Sequence, residues 1–282
     1  MSTIEVRHRT RFVYSQEIPT SYNEARVIPS HLPRQRVLTA GVDITPVTWQ
    51  THYVDYWDTR VTAFEVLRPH RSLTVTATSR VEIMPEYQPW QAPDWGELRS
   101  PAFADRWWEY LENTPATEPT AELAEVARET AARHSPGETA RRLCSYLHDS
   151  MRYLPGATTV HTPAAQAWEE RSGVCQDFAH LAIGALRCVG IPARYVSGYL
   201  HPRKDVEVGE TVSGESHAWV EWWAGDWLGY DPTNDAVVGA PHLVVARARE
   251  DADGVPVKGG VNRGDSERPR TGDRPQGGEG EG

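Results

Sequence analysis

Between residues 4 and 83 apolar and polar side chains alternate, the period of two that belongs to strands with one buried face. Runs at 4–14, 36–46, 50–57, 60–68 and 72–83 carry this pattern, and in the last of them Leu73, Val75, Ala77, Ser79 and Val81 fall on one face. Turn residues separate the runs at 30–33, at Asp58-Thr59 and at Pro69-His70. The pattern predicts an antiparallel β domain with few helices. Because each strand keeps a polar face, two packed sheets and one curled sheet both fit it.

Beyond residue 120 the period becomes helical. Thr120 is placed to cap a helix over 121–134 with Leu123, Val126 and Ala127 on one stripe. Ser135-Pro136-Gly137-Glu138 combines a cap, a proline at the first helical position and an acid three residues after the cap, predicting a helix over 136–149 that buries Leu143, Tyr146 and Leu147. Thr162-Pro163 repeats the device before a short helix through Ala167 and Trp168. Another helix is expected from near Gly173 to about Val189, with Phe178, Leu181, Ala182, Ala185 and Val189 as its buried stripe and Gly190-Ile191-Pro192 as its stop. Strand-like runs follow at 193–200, 217–223 and 227–230.

Between the two halves, 85–119 is rich in proline but also carries Trp90, Trp95, Trp107, Trp108 and Tyr110. A free linker is poor in tryptophan, so the segment reads as a connector packed on the body, with a short helix over 101–111. The expected class is α+β: an antiparallel β-rich N-terminal domain over 1–100, then helices packed on an antiparallel sheet over 101–250. From Asp251 onward there is no aromatic residue and nine of the 22 glycines occur, so 251–282 is expected to be a disordered tail.

Composition then narrows the function classes. A chain of 282 residues buries a core without help from disulfides or metal. Its net charge of −10 argues against a nucleic acid or anionic membrane partner. No apolar run approaches the roughly 18 residues that span a bilayer, and residues 1–10 are charged where a secretion leader would be apolar, so no membrane association is expected and the expected compartment is cytoplasmic. P-loop, dinucleotide-binding and hydrolase-elbow patterns are missing, and no cofactor is expected.

The three cysteines, Cys144, Cys175 and Cys188, are too few and too scattered for a disulfide framework or a cysteine-rich zinc site. Cys175 stands apart. It falls at the first turn of the predicted helix, off the apolar stripe, where unpaired backbone N–H groups and the helix dipole favour a thiolate. Cys188 lies 13 residues along, roughly 20 Å away in a continuous helix, beyond disulfide reach. A nucleophilic thiol needs an imidazole base, and the base needs a group to fix its tautomer. His217 opens the strand-like run His217-Ala218-Trp219-Val220-Glu221-Trp222, and Asp231 ends the next one. Antiparallel strands joined at Ala224-Gly225-Asp226 bring the two side by side. His180 is five positions from Cys175 and faces away from it, and His161, His201 and His242 have no comparable setting; Asp177 is assigned to capping the helix start.

These residues resemble a known family. The segment 171–181 around Gly173-Val174-Cys175-Gln176-Asp177, the run Gly190-Ile191-Pro192-Ala193-Arg194-Tyr195, the run Ser216-His217-Ala218-Trp219-Val220-Glu221 and Tyr230-Asp231-Pro232-Thr233-Asn234 are similar to the core of the bacterial transglutaminase-like superfamily. Arg7-His8-Arg9-Thr10, Tyr14, Arg26, Pro29 and Pro69-His70 resemble the β-rich N-terminal region that accompanies it, so the likeness covers roughly 4–245. After His242-Leu243 the family's Gly-Arg-Asp-Tyr-like run is replaced by Val245-Ala246-Arg247-Ala248. The resemblance implies a papain-like core in which Cys175 is the nucleophile, His217 the base and later the acid, and Asp231 the residue orienting His217. It implies a protein or peptide amide substrate, with water or an amine as acceptor. Some members elsewhere need calcium, but with no EF-hand loop here, metal independence is expected.

The sequence leaves several choices open. Transfer and hydrolysis share every step to the thioester, so a peptidase or amidase that only hydrolyses competes with a transferase. A silent module binding peptide or sugar on Trp90, Trp95, Trp222, Trp223 and Trp227 is the reading from another class. The backbone N–H of Cys175 is the first oxyanion donor expected, with Gln166 and Trp168 as alternatives between a second donor and packing. The acidic loop 203–214 is either a contact for a basic acceptor or an ordinary solvated loop. The N-terminal half shapes the cleft, recognises substrate or joins two subunits.

Overall fold

The computed structural model describes residues 2–84, 92–201, 212 and 214–262. Its first part consists of strands β1 (Ser2–Ile18), β2 (Thr20–Ala25), β3 (Gln35–Thr45), β4 (Trp49–Val54), β5 (Arg60–Val66) and β6 (His70–Ile83). Strand β6 pairs with both β1 and β3 in one antiparallel sheet, and β5 pairs with both β2 and β4 in another. The choice between two sheets and one is settled by the core: Leu73, Val75 and Ala77 of β6 with Ile44 of β3 meet Phe64 and Val66 of β5 and Ala25 of β2. Strand β2 escapes the hydrophobic pattern because two of its three inward residues, Ser21 and Asn23, are polar. They satisfy one another and His70, with Asn23 Nδ2 donating to Ser21 Oγ at 3.1 Å and Ser21 Oγ 3.3 Å from His70 Nε2.

The middle of the chain is helical: α1 (Trp95–Leu98), α2 (Pro101–Leu111), α3 (Ala121–Ala131) and α4 (Pro136–Ser150), then a two-residue strand β7 (Arg152–Tyr153), α5 (Ala164–Glu170), a second short strand β8 (Ser172–Gly173) and α6 (Cys175–Arg187). Thr120 caps α3 as expected, accepting from the Leu123 N–H at 3.3 Å. Two other caps work differently from the sequence pattern. Ser135 makes no side-chain capping bond and Glu138 pairs with Arg141 and Arg142, so α4 starts on the fixed φ of Pro136. Thr162 accepts from the Thr159 N–H, leaving Pro163 as the cap of α5.

Helix α6 is the centre of the molecule. Every residue from Asp177 to Arg187 is buried, so it has no solvent face opposite its apolar stripe. Its buried cation is satisfied: the Arg187 guanidinium donates to the carbonyls of Ala193, Glu112 and Arg249. Helices α3, α4 and α5 cover one side, their Leu123, Leu143, Leu147 and Trp168 joining Phe178, Leu181 and Ile183 in the main core.

The other side of α6 rests on an antiparallel sheet built from β9 (Ala193–Leu200), β10 (Glu215–Trp223), β11 (Trp227–Asp231), β12 (Ala236–Val237) and β13 (His242–Ala248), in spatial order β12-β11-β10-β9-β13. Glu221 of β10 is buried and clamped by Arg194 of β9 and Arg247 of β13, which ties three strands together. Burial alone would push its carboxyl up, but Arg247 and Arg194 hold it low.

The chain then returns to its beginning. After α7 (Asp251–Gly254), strand β14 (Val257–Asn262) pairs with β2, at the edge of the N-terminal sheet. This corrects the expectation of disorder from Asp251, at least to Asn262; residues 263–282 lie outside the described residues. One of the glycines that suggested disorder serves close approach instead: a Cβ on Gly259 would lie 2.5 Å from Asn23 Oδ1. The two halves are also joined at β13, where the buried Gln35 amide accepts from the Val244 N–H and donates to the Val244 carbonyl, and Ser30 Oγ donates to Val245.

Candidate active site

The loop ahead of α6 is fixed before the helix begins. Strands β7 and β8 pair in parallel, with the Leu154 N–H donating to Gly173. The Asp177 carboxylate reaches back to accept from the Val174 N–H at 2.7 Å and from Thr158 Oγ1 at 2.6 Å, the capping role expected of it. Glycine is required at 173, since a Cβ there would lie 2.6 Å from that carboxylate. Cys175 is therefore held at the first helical position, half-buried, where its backbone N–H has no acceptor within the helix.

The sheet brings the other two residues to it. Strand register pairs Val220 with Tyr230, so Asp231 stands on the face of Trp219 and diagonally adjacent to His217. His217 Nε2 donates to Asp231 Oδ2 at 2.7 Å, and Cys175 lines the same cleft as the imidazole. With Nε2 occupied by Asp231, Nδ1 is the ring nitrogen left to the thiol. Burial alone would lower the imidazole's affinity for a proton, but hydrogen bonds to Asp231 and to Cys175 outweigh it and raise His217 to about 9. Asp231 is fully buried, yet its bonds from His217, His242 and Asn234 hold it well below the usual carboxylate range.

Stability should depend on pH accordingly. A raised histidine contributes fully below its ordinary value near 6.5, and the contribution is lost as pH rises through about 9. Denaturant unfolding of wild type and His217→Gln between pH 6 and 10 should show the wild-type advantage shrinking over that interval. A gap that stays constant with pH would contradict the raised imidazole.

Cys175 and His217 open on a cleft of about 200 Å³. One wall comes from the N-terminal half through His8 and Arg26, and another from the returning C-terminal segment through Asp251 and Pro256. The N-terminal half thus shapes the cleft, one of the three roles the sequence left open. His180 faces elsewhere, as expected; it is buried and neutral, pushed by burial to about 4, and its Nε2 accepts from the Asp251 N–H.

Other candidates do not converge here. Gln166 donates to Glu170 and Trp168 Nε1 to Glu122, neither side chain lines the cleft, and both fit the packing alternative. Cys144 and Cys188 are packing residues whose thiols burial pushes up, Cys188 to about 11. Trp222 is buried, while Trp223 packs tilted against Trp107 and Trp227 meets Trp107 edge-on, so they do not form an open platform; Trp90 and most of 203–214 lie outside the described residues. Among the described residues no group of three or more His, Cys, Asp or Glu is arranged to hold a metal ion. His242 and Asn234, to which the sequence reading gave no role, both contact Asp231. Their available signal was position alone: Asn234 follows Asp231 by three residues, and His242 opens a strand.

Residues 124–232 match the transglutaminase-like superfamily and residues 4–82 the bacterial transglutaminase-like N-terminal region. An uncharacterized protein of Mycobacterium leprae is 41% identical over 259 residues, which is 92% of this chain and 93% of that protein. A solved structure of a candidate cysteine protease from Cytophaga hutchinsonii has the same fold, with a TM-score of 0.70 over 99% of this chain and 97% of that one at 18% identity. The periplasmic domain of TgpA from Pseudomonas aeruginosa is also similar, with a TM-score of 0.40 and 19% identity over 81% of this chain and 90% of that one. That domain lies outside the cytoplasm, and the cytoplasmic assignment expected from the sequence is withdrawn. Its grounds, the lack of an apolar span and a charged stretch over residues 1–10, do not fix a compartment. No helix among the described residues is long and apolar enough to cross a bilayer.

Proposed function

Because the chain belongs to the bacterial transglutaminase-like superfamily, with both its core and its N-terminal region, we propose that it is a thiol enzyme acting on amide carbonyls of protein or peptide substrates through a thioester. The observation that carries this reading is the juxtaposition in one cleft of the Cys175 thiol with His217, itself bonded to Asp231 at 2.7 Å. His217 Nδ1 holds the proton taken from the thiol, and the sulfur attacks the amide carbon as thiolate. The tetrahedral oxyanion is met by the N–H of Cys175 at the start of α6. His217 returns the proton to the departing nitrogen, the C–N bond breaks, and the acyl group remains on sulfur. Water or an amine then attacks the thioester, giving its proton to His217, and the thiol is restored as the C–S bond breaks. Asp231 keeps Nε2 protonated throughout and stabilises the imidazolium.

The test is intact-mass analysis of wild type and Cys175→Ala after exposure to a mixture of glutamine-containing peptides and a primary amine. An acyl adduct should appear on wild type alone. Product masses then separate the acceptors: amine-extended peptide for transfer, cleaved or deamidated peptide for hydrolysis. If neither adduct nor modified peptide forms, the reading fails.

A further inference from the structure

We propose that His242 is a second positioning residue of this site: a neutral imidazole on β13 that holds the Asp231 carboxylate in the orientation His217 requires. The inference rests on the thiol-enzyme reading above and adds a residue to it.

The geometry fixes the state of the ring. His242 Nδ1 accepts from the Gly239 backbone N–H at 3.3 Å. A backbone N–H only donates, so the Nδ1 lone pair is in use and the ring proton sits on Nε2. That proton points at Asp231 Oδ2, 3.2 Å away, the same oxygen that accepts from His217 Nε2 at 2.7 Å. Asn234 Nδ2 donates to it as well, at 2.7 Å, while the other oxygen accepts from the backbone N–H groups of Thr233 at 3.0 Å and Asn234 at 3.2 Å. Five donors therefore surround one fully buried carboxylate.

This arrangement has a purpose that simple burial of a strand residue does not explain. The backbone donors pin Oδ1 but leave the carboxylate able to rock about them. His242 and Asn234 fix where Oδ2 stands, and that position sets the direction of the His217 ring and so of Nδ1 toward Cys175. The His217 and His242 rings are tilted, 6.4 Å apart between centroids, and both Nε2 atoms bond the same oxygen, through which the coupling runs. By drawing on the same lone pairs, His242 also weakens the hold of the carboxylate on the His217 proton. The groups facing His217 are Asp231 from β11, Cys175 from α6, and Asn234 beyond β11; those facing His242 are Asp231 and Trp219.

The test uses the full chain and a probe that needs no knowledge of the substrate: the rate of Cys175 alkylation by iodoacetamide against pH. In His242→Leu the limb belonging to His217 should move to higher pH by about half to one unit, the effect of removing one hydrogen bond from the carboxylate. His242→Gln, whose Nε2 amide keeps a neutral donor in the same place, should restore the wild-type profile. His242→Asn covers the case in which the leucine variant does not fold: its shorter amide keeps polarity but does not reach Asp231, and it should shift as leucine does. A folded leucine or asparagine variant that superimposes on wild type would leave His242 a packing residue and overturn the inference. Failure of the parent reading looks different: wild-type alkylation no faster than a free thiol and indifferent to His217→Gln removes the enzyme, and His242 with it.

Discussion

Replacing Cys175 by Ala should lower turnover by about 10⁴- to 10⁶-fold while leaving the fold in place. The two halves of that expectation have separate physical grounds. Chemically, no other group in the cleft replaces the sulfur: Ser216 and Ser197 line the cleft, but neither has a hydrogen bond to His217. Structurally, the substitution removes one half-buried sulfur at the first position of α6, where alanine is a good helix former. The loop before it is held by Asp177, Thr158 and the pairing of β7 with β8, none of which involves the Cys175 side chain. The stability cost should therefore stay small, no more than about 1 kcal/mol, the value of a single polar contact. Thermal unfolding and turnover measured on one preparation decide the matter. Residual activity above about one per cent would mean that sulfur is not the nucleophile. Cys144→Ala is the useful contrast, because that residue is fully buried in the main core and its removal should cost stability while sparing catalysis.

What the sequence revealed and what it hid follow from the range over which each signal acts. Cys175 was legible because helix start, thiol and preceding glycine are adjacent in the chain. His217 and Asp231 were legible because a short turn joins their strands, and a tight hairpin fixes which residues are neighbours. The second histidine was not. His242 reaches Asp231 from β13, which lies at the far edge of the sheet beyond β9 and β10, and the β13 register shifts between Val244 and Ala246. No periodicity along the chain announces a contact between strands that are not neighbours in the sheet. The family likeness stopped short for a related reason: the residues after Leu243 depart from the expected run, yet Arg247 within them takes a structural role by clamping Glu221. On the fold, β2 was hidden by its polar inward face and β14 by its glycines. Both hide for one reason, that a strand buried by backbone pairing and polar contacts leaves no hydrophobic alternation to read.

The second large effect should come from Asp231→Asn, a change of one atom. The carboxylate offers two oxygens to five donors, and the amide can offer only one. If the amide nitrogen faces Thr233 and Asn234, two backbone N–H groups lose their acceptor in the interior. If it takes the other orientation, its hydrogens meet the Nε2–H of His217, the Nε2–H of His242 and the amide of Asn234. The second arrangement leaves the backbone bonds intact and is relieved most cheaply by a tautomer change in His217, whose Nε2 gives up its proton to become an acceptor. The proton then resides on Nδ1, facing Cys175, and the ring no longer accepts from the thiol. The expected result is a fall in kcat of about 10⁴-fold, with unpaired donors costing about 1–3 kcal/mol of stability. A second signature accompanies it. Asp231 is the first of the groups that raise His217 to about 9, so the variant should lose the alkaline decline in stability described above. A merely destabilised protein would lower both curves and keep that decline, whereas a misoriented imidazole removes it; a variant within tenfold of wild-type kcat would show that the His217 ring is held without Asp231.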